Sequence, residues 1–161
     1  MAKLDLTFRK IKWYQIRFIS EASRIVYQCG KNMARQEGLY HWDKSFFLIF
    51  CIVMYAACRW QLYIAFIQKR PVATFQTQII GQSFHFQKLA VTPQLEHRGI
   101  GAICLQKMET IAKALNCRDI RLEVYDKSEG AISFYEKNGY SRLGVIYTRK
   151  YREYQMGKKV R

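Results

Sequence analysis

The segment from Leu89 to Leu105, LAVTPQLEHRGIGAICL, places an arginine and two glycines where a predicted strand passes into a predicted helix. These residues are Arg98, Gly99 and Gly101. The first N–H groups of a helix lack internal partners, and the helix dipole leaves that end partly positive. Because glycine has no Cβ, a phosphate can approach such a backbone closely. The segment therefore predicts a phosphate-binding turn, although a glycine-rich turn also suits close helix–strand packing without a ligand.

Two familiar phosphate-binding motifs do not fit this segment. A dinucleotide-binding turn has the pattern G-x-G-x-x-G after the first strand of its domain, whereas here the motif comes late and Cys104 occupies the third glycine position. A nucleotide-binding loop of the G-K-[ST] type is absent from the sequence. The turn alone thus indicates an anion site and leaves its ligand open.

The overall charge favours an anionic partner. The chain has 161 residues, enough for one domain with a sizeable core, and 27 Lys and Arg stand against 12 Asp and Glu, for a formal charge of +15. Such a charge suits a nucleotide-like cofactor, nucleic acid or an acidic protein, and a solvated basic surface is the alternative.

One apolar run is a candidate for a membrane span. The run FFLIFCIVMYAAC from Phe46 to Cys58 has thirteen residues, whereas a membrane span needs about 20. It predicts a buried helix followed by a buried strand, or a helix with one side turned to a partner.

The N-terminal residues MAKLDLTFRKIKWYQ show no secretion signal. Five cysteines without C-x-x-C spacing predict reduced thiols and a cytoplasmic protein.

Metal and serine chemistry find no support in the sequence. The three histidines are far apart and no paired-cysteine spacing exists, so we expect no metal. No G-x-S-x-G motif indicates a serine hydrolase.

Hydrophobic periodicity predicts the order of helices and strands. Two helices follow an opening strand, then three strands, a third helix, a strand, a short helix between Ser128 and Gly139, and two closing strands. The predicted segments are LDLTFRKI, Tyr14–Gln36, Phe46–Cys58, LYIAFI, VATFQTQII, FHFQKLAV, Gly99–Leu115, DIRLEVY, EGAISFYEKN, YSRLGVIY and REYQM. This order predicts a single domain over residues 1–161 of the mixed α/β (α+β) class. Its central sheet is mostly antiparallel, is flanked by helices and contains one β-α-β crossover.

A second motif, LEVYDKSEGAISFYEKNGYSRLG, follows the glycine turn after some 30 residues. The pair of motifs resembles the GCN5-related N-acetyltransferase (GNAT) superfamily. That family has Q/R-x-x-G-x-G/A at a strand-to-helix turn, then a strand, an N-x-x-A helix start and F-Y-x-x-x-G-F/Y. Here EHRGIG and SEGAISFYEKNGY hold the two motifs, and the resemblance covers about Leu62 to Met156. Glu96 departs from the family's Gln or Arg, and Ser128 departs from its Asn.

The resemblance implies an acetyl-CoA-dependent N-acetyltransferase that moves an acetyl group to a primary amine by direct attack. It implies that a strand binds the pantetheine arm and that the turn binds the pyrophosphate through backbone N–H groups. The cofactor-binding residues implied in this way are Leu89, Ala90, Val91, His97, Arg98, Gly99, Ile100, Gly101, Ala102, Ser128 and Tyr135.

Three residues are candidates for the proton transfers. Tyr135 matches the family tyrosine that points at the sulfur, and we expect it to turn away from a core-packed Phe134; a packing aromatic is the alternative. Counting back four positions from Leu89, where histone-type members carry a glutamate, gives His85 as a base. Strand alternation would place His85 on the same side as Leu89. Glu123 is the other candidate for the base. The alternative for His85 is a half-buried histidine without a catalytic role.

The partners follow from the same resemblance. His41, Trp42 and Asp43 lie in the loop where the family builds its acceptor site. We expect CoA and a small-molecule or peptide amine as partners, and neither a membrane nor nucleic acid. The oligomeric state stays open and includes a dimer. The alternative function is a basic nucleic-acid- or ribosome-binding module on the same fold without catalysis, which the charge favours but no stacking motif supports.

Overall fold

The computed structural model describes residues 5–160, and this part of the chain contains four α-helices and seven strands. In chain order the elements are β1 Thr7–Ile11, α1 Ile16–Glu37, α2 Phe46–Arg59, β2 Gln61–Ile67, β3 Arg70–Ile80, β4 Ser83–Val91, α3 Ile100–Ala114, β5 Asp119–Tyr125, α4 Glu129–Lys137, β6 Ser141–Tyr147 and β7 Arg152–Lys159. The predicted order is confirmed. The predicted opening strand began at Leu4, which lies outside the described residues.

The strands form one mixed sheet in the order β1-β2-β3-β4-β5-β7-β6. Strands β4 and β5 run parallel, with Ser83 opposite Asp119 and His85 opposite Arg121. The pairs β1–β2, β2–β3, β5–β7 and β6–β7 are antiparallel. The helix α3 makes the crossover between the parallel strands, as such a connection requires. The predicted α/β class with a mostly antiparallel sheet is therefore confirmed.

The chain divides into two compact units. Unit 1 comprises the residues up to Gln78 together with Lys88–Cys104. Its core is built from one stripe of α1, one stripe of α2, the strands β1 and β2, and Ala90 of β4. In α1 the buried residues Ile19, Ala22 and Val26 recur at the predicted helical spacing.

Helix α2 begins at the predicted cap and buries only one of its faces. The Ser45 hydroxyl accepts a hydrogen bond from the Leu48 N–H at 3.3 Å. Ile49 and Val53 are buried, whereas Phe47 is 75% exposed. Of the two alternatives for this run, the helix with one exposed side is therefore the one observed, and an apolar run without polar positions does not reveal which stripe faces the core. In the described part of the chain, no helix combines the length and the apolar character needed to span a membrane.

Unit 2 comprises Ile79–Gln87 and the residues from Leu105 onward. Its buried residues come from β4, α3, β5, α4, β7 and the turn before β6, and the alternation predicted for β5 is confirmed. These buried residues include Phe84, Phe86, Leu105, Met108, Ile120, Leu122, Val124, Ile132, Tyr135, Tyr140 and Met156. Helix α4 ends as predicted, since Gly139 follows it with a φ of 85° and donates its N–H to the Glu136 carbonyl.

Candidate active site

The segment between β4 and α3 in unit 1 is anchored at its start. Thr92 donates both its N–H and its hydroxyl to the Val72 carbonyl of β3, at 2.8 and 2.9 Å. A short 3₁₀ turn, Pro93–Leu95, follows and leads into the glycine-containing turn. The start of α3 is therefore held at a defined point relative to β3.

The turn itself adopts the conformation that an anion site requires. His97 and Gly99 have positive φ angles of 60° and 80°, and glycine accepts this region without strain. A Cβ added to Gly99 would meet no atom within 4 Å, so the space beside it is open. The Ile103 N–H donates to the Gly99 carbonyl, which begins the helical ladder. The preceding N–H groups of Ile100, Gly101 and Ala102 therefore belong to the unpaired helix start.

Glu96 lies next to this turn and links it to α1. The Asn32 amide nitrogen donates to Oε2 of Glu96 at 3.2 Å. Burial raises the pKa of Glu96, His97 lowers it, and Glu37 raises it. A carboxylate thus stands at the position where the related motif has Gln or Arg, and it opposes the binding of an anion at the turn.

The loop 38–45 of unit 1 is fixed against α1. A Cβ added to Gly30 would lie 2.5 Å from the Trp42 carbonyl oxygen, so only glycine permits this approach. Asp43 forms an ion pair with Lys31, and this hydrogen bond raises the pKa of the lysine. The predicted acceptor-loop residues Trp42 and Asp43 are therefore held in place by α1.

Lys88 of β4 is a further residue of this region that the sequence reasoning missed. Its ammonium lies 5.9 Å from the centre of the Trp42 ring, and burial lowers the pKa of Lys88 to about 8. A signal for it was present in the sequence. Phe84, Phe86 and Ala90 occupy alternate, buried positions of the strand, and the lysine stands in the same phase.

The same lysine has an unusual backbone conformation. Lys88 has a φ of 52°, in the left-handed region, within β4. The buried residues Phe84, Phe86 and Ala90 nevertheless occupy alternate positions on both sides of it. The placement of His85 on the side of Leu89 and Val91 stays a prediction.

His85 lies in unit 2 and faces the charged side chains of β5. Burial and Arg121 lower its pKa, while Glu123 and Asp119 raise it. Arg121 itself is bound to Asp119, with Nη2 2.9 Å from Oδ2. With a lowered pKa, the imidazole is neutral at pH 7 and able to accept a proton. The structure thus brings His85 into electrostatic contact with Glu123, the two candidates for the base.

Tyr135 also lies in unit 2, where it is buried among aromatic rings. Its ring centre lies 5.9 Å from that of Phe86 and 6.0 Å from that of Tyr140. The prediction that Phe134 packs in the core and Tyr135 turns away is wrong, because Tyr135 is the more buried of the two. Ile132 fixes the phase of α4, and the residue three positions later faces the same way.

Ser128 is buried and occupies the predicted cap position directly before α4. Its carbonyl accepts the Ile132 N–H at 2.9 Å, but its hydroxyl makes no capping hydrogen bond. The predicted helix start is therefore confirmed, while the predicted side-chain cap is wrong.

Comparisons with known proteins agree with this architecture. The sequence profile of the acetyltransferase (GNAT) family matches residues 24–140. The uncharacterized protein YdhI of Bacillus subtilis (strain 168) is 36% identical over 58 residues, which make up 36% of each protein. The match thus spans about a third of the length of this curated relative.

Two solved structures share the fold. The PaiA N-acetyltransferase of Thermoplasma acidophilum, in complex with coenzyme A, gives a TM-score of 0.75 at 19% identity over 96% of this chain and 99% of that chain. The ribosomal-protein-S18-alanine N-acetyltransferase of Escherichia coli gives a TM-score of 0.71 at 15% identity over 97% of this chain and 94% of that chain. At these identities the likeness shows the fold.

Proposed function

The chain belongs to the acetyltransferase (GNAT) family, and on this premise we propose that residues 1–161 form one domain that transfers the acetyl group of acetyl-CoA to a primary amine. The observation that carries the proposal is the anchored strand–turn–helix segment from Val91 to Ala102, which lies inside the matched region and presents open backbone at a helix start. The related PaiA structure holds coenzyme A, which supports this choice of ligand.

The residues of the turn fit the anionic part of acetyl-CoA. The N–H groups from His97 to Ala102 would bind the pyrophosphate, and the exposed Arg98 adds a positive charge. The backbone of Leu89–Val91 would bind the pantetheine arm as a paired strand does. Ser128 and Tyr135 complete the set by family resemblance. When bound, acetyl-CoA supplies the acetyl group as a thioester.

The proposed roles of the remaining residues concern two protons. The amine must be neutral to attack, and its extra proton leaves to His85 or to Glu123. The Tyr135 hydroxyl donates a proton to the departing thiolate sulfur, so that the free thiol leaves. The base thus takes up one proton from the amine and Tyr135 gives one proton to the sulfur, so the proton transfers balance.

We predict that His85→Ala lowers kcat/KM near pH 7 by about 10- to 100-fold, with unchanged CoA affinity. Because the pKa of His85 is lowered, the wild-type rate should fall on the acid side only below the ordinary histidine value of about 6.5. The pH–rate profile of the variant should lack this acid limb. Glu123→Gln is the matched variant: if the acid limb disappears there and persists in His85→Ala, the base is Glu123.

We predict that Glu96→Gln raises CoA affinity by about 3- to 10-fold, because it removes a negative charge beside the phosphates. The amide oxygen of the new side chain can still accept from Asn32, so the fold should be kept. Isothermal titration calorimetry measures the effect, and circular dichroism checks the fold. A weaker affinity in Glu96→Gln would show that the carboxylate helps to hold the cofactor.

Thermal unfolding tests the cofactor assignment. Acetyl-CoA should raise the Tm of the protein, because a ligand that binds only the folded state stabilises it. Absence of a shift, together with RNA binding that weakens steeply with salt, would support the basic binding module instead.

We also propose that the protein resides in the reducing cytoplasm. Free thiols support this proposal, and the free cysteines are Cys29, Cys51, Cys58, Cys104 and Cys117.

A further inference from the structure

Lys88 has a backbone conformation that lysine rarely adopts. Its φ of 52° lies in the left-handed region, in the middle of β4. For a residue with a Cβ this conformation costs about 1 kcal/mol or more. Strained positions of this kind concentrate at binding and catalytic sites, where the surrounding structure holds them.

The ammonium of Lys88 is half-buried and has no anionic partner in the described part of the chain. Within residues 5–160, no carboxylate lies within ion-pair distance of its Nζ. Its Nζ lies over the face of Trp42, 5.9 Å from the ring centre, in a weak cation–π interaction. A cation that has lost much of its water and gained no counter-ion favours the approach of an anion.

The backbone of Trp42 is held in place by its neighbours. Lys44 donates its N–H to the Trp42 carbonyl at 2.9 Å, and the same carbonyl sits against Gly30 of α1. In the same loop, Asp43 is already paired with Lys31. Lys88, which forms no ion pair among the described residues, therefore lies over the ring of a tryptophan whose backbone is held by α1.

We propose that Lys88 and Trp42 form a subsite for a carboxylate on the amine acceptor, so that the substrate class is an amino acid or another amine that carries a carboxylate. This inference rests on the proposed acetyltransferase function. The phosphates of the cofactor are assigned to the turn that begins at Glu96, eight positions further along the chain. A single ammonium over an apolar ring suits a small, planar anion. The formal charge of +15 attracts an anionic acceptor and repels a polyamine.

Binding of reaction-product analogues tests the proposal without requiring a known acceptor. The probes are N-acetyl amino acids and their carboxamides, which differ only in the carboxylate. Each is titrated by calorimetry into the protein saturated with CoA. We expect at least one acid to bind about tenfold or more tightly than its amide, as a charge-assisted hydrogen bond allows. Lys88→Met should abolish the preference, and Lys88→Arg should retain it.

Control variants separate the outcomes. Lys113→Met removes an exposed lysine of α3 and should keep the preference for the acids. CoA affinity should be unchanged in every variant, and this measurement also shows that each variant is folded. If Lys88→Met does not fold, Trp42→Leu replaces it, and we expect Trp42→Leu to weaken the preference for the acids. Equal binding of acids and amides, binding of neither series, or a preference that survives in Lys88→Met would overturn the subsite and leave the acetyltransferase function standing. Failure of the wild-type protein to bind CoA would overturn both.

A competing role for Lys88 gives a different result. If its amine were the acetyl acceptor, incubation with acetyl-CoA alone would acetylate Lys88 itself, and peptide mass spectrometry would locate the modification there. We expect an unmodified Lys88 after such incubation. Stoichiometric acetylation at this position would overturn the proposed subsite.

Discussion

Tyr135→Phe is expected to lower kcat by about 10- to 1000-fold, the range for removal of one positioned proton donor. The substitution removes only the hydroxyl, and the ring contacts with Phe86 and Tyr140 remain available. CoA affinity and Tm should therefore change little. Steady-state kinetics at saturating acetyl-CoA, with any accepted amine, measure the effect.

A neighbouring tyrosine provides the control. Tyr140 is buried 6.0 Å from Tyr135 between ring centres, and its hydroxyl has no hydrogen-bond partner among the described residues. Tyr140→Phe should leave kcat unchanged and keep or raise Tm, because an unsatisfied buried hydroxyl costs about 1–3 kcal/mol. Equal kcat values in the wild type and both variants would make Tyr135 a packing residue and leave the thiolate to be protonated by water.

Gly101→Asp is expected to lower the affinity for acetyl-CoA by about 1000-fold. The new carboxylate would stand at the second residue of α3, beside the N–H groups assigned to the pyrophosphate. Two like charges about 4 Å apart near a protein surface repel by about 4 kcal/mol, which corresponds to that change in Kd. Calorimetric titration measures the loss, and circular dichroism checks the fold.

The matched control places the same residue at the same point of another helix. Gly130 is the second residue of α4, is exposed, and has open space where a Cβ would lie. Gly130→Asp should bind acetyl-CoA as the wild type does, since an aspartate in the first turn favours the helix. A folded Gly101→Asp variant with wild-type affinity would move the cofactor away from this turn.

Hydrophobic periodicity was enough to predict the order of the elements and the α/β class. The spacing of Ile19, Ala22 and Val26 located α1, and the alternation of Ile120, Leu122 and Val124 located β5. The glycine turn was also predicted correctly as a strand-to-helix connection. These features depend on local patterns of residue types, which can be read directly from the sequence.

The direction in which single side chains point could not be read from these local patterns. The positive φ at Lys88 could not be predicted, because nothing in the residue type indicates it. In α4, the buried Ile132 sets the rotation that buries Tyr135 rather than Phe134. In α2, an apolar residue at nearly every position hides the difference between the buried and the exposed face. Such directions are decided by packing with distant parts of the chain.

Transfer of the acetyl group tests the central claim most directly. The protein is incubated with acetyl-CoA labelled with ¹³C in the acetyl group and with a panel of primary amines, and released thiol and acetylated amine are quantified. The proposal predicts equimolar thiol and labelled amide for at least one amine, dependent on the protein and reduced in Tyr135→Phe. Thiol release that is independent of every amine, or no labelled amide in a protein that is folded, would contradict it.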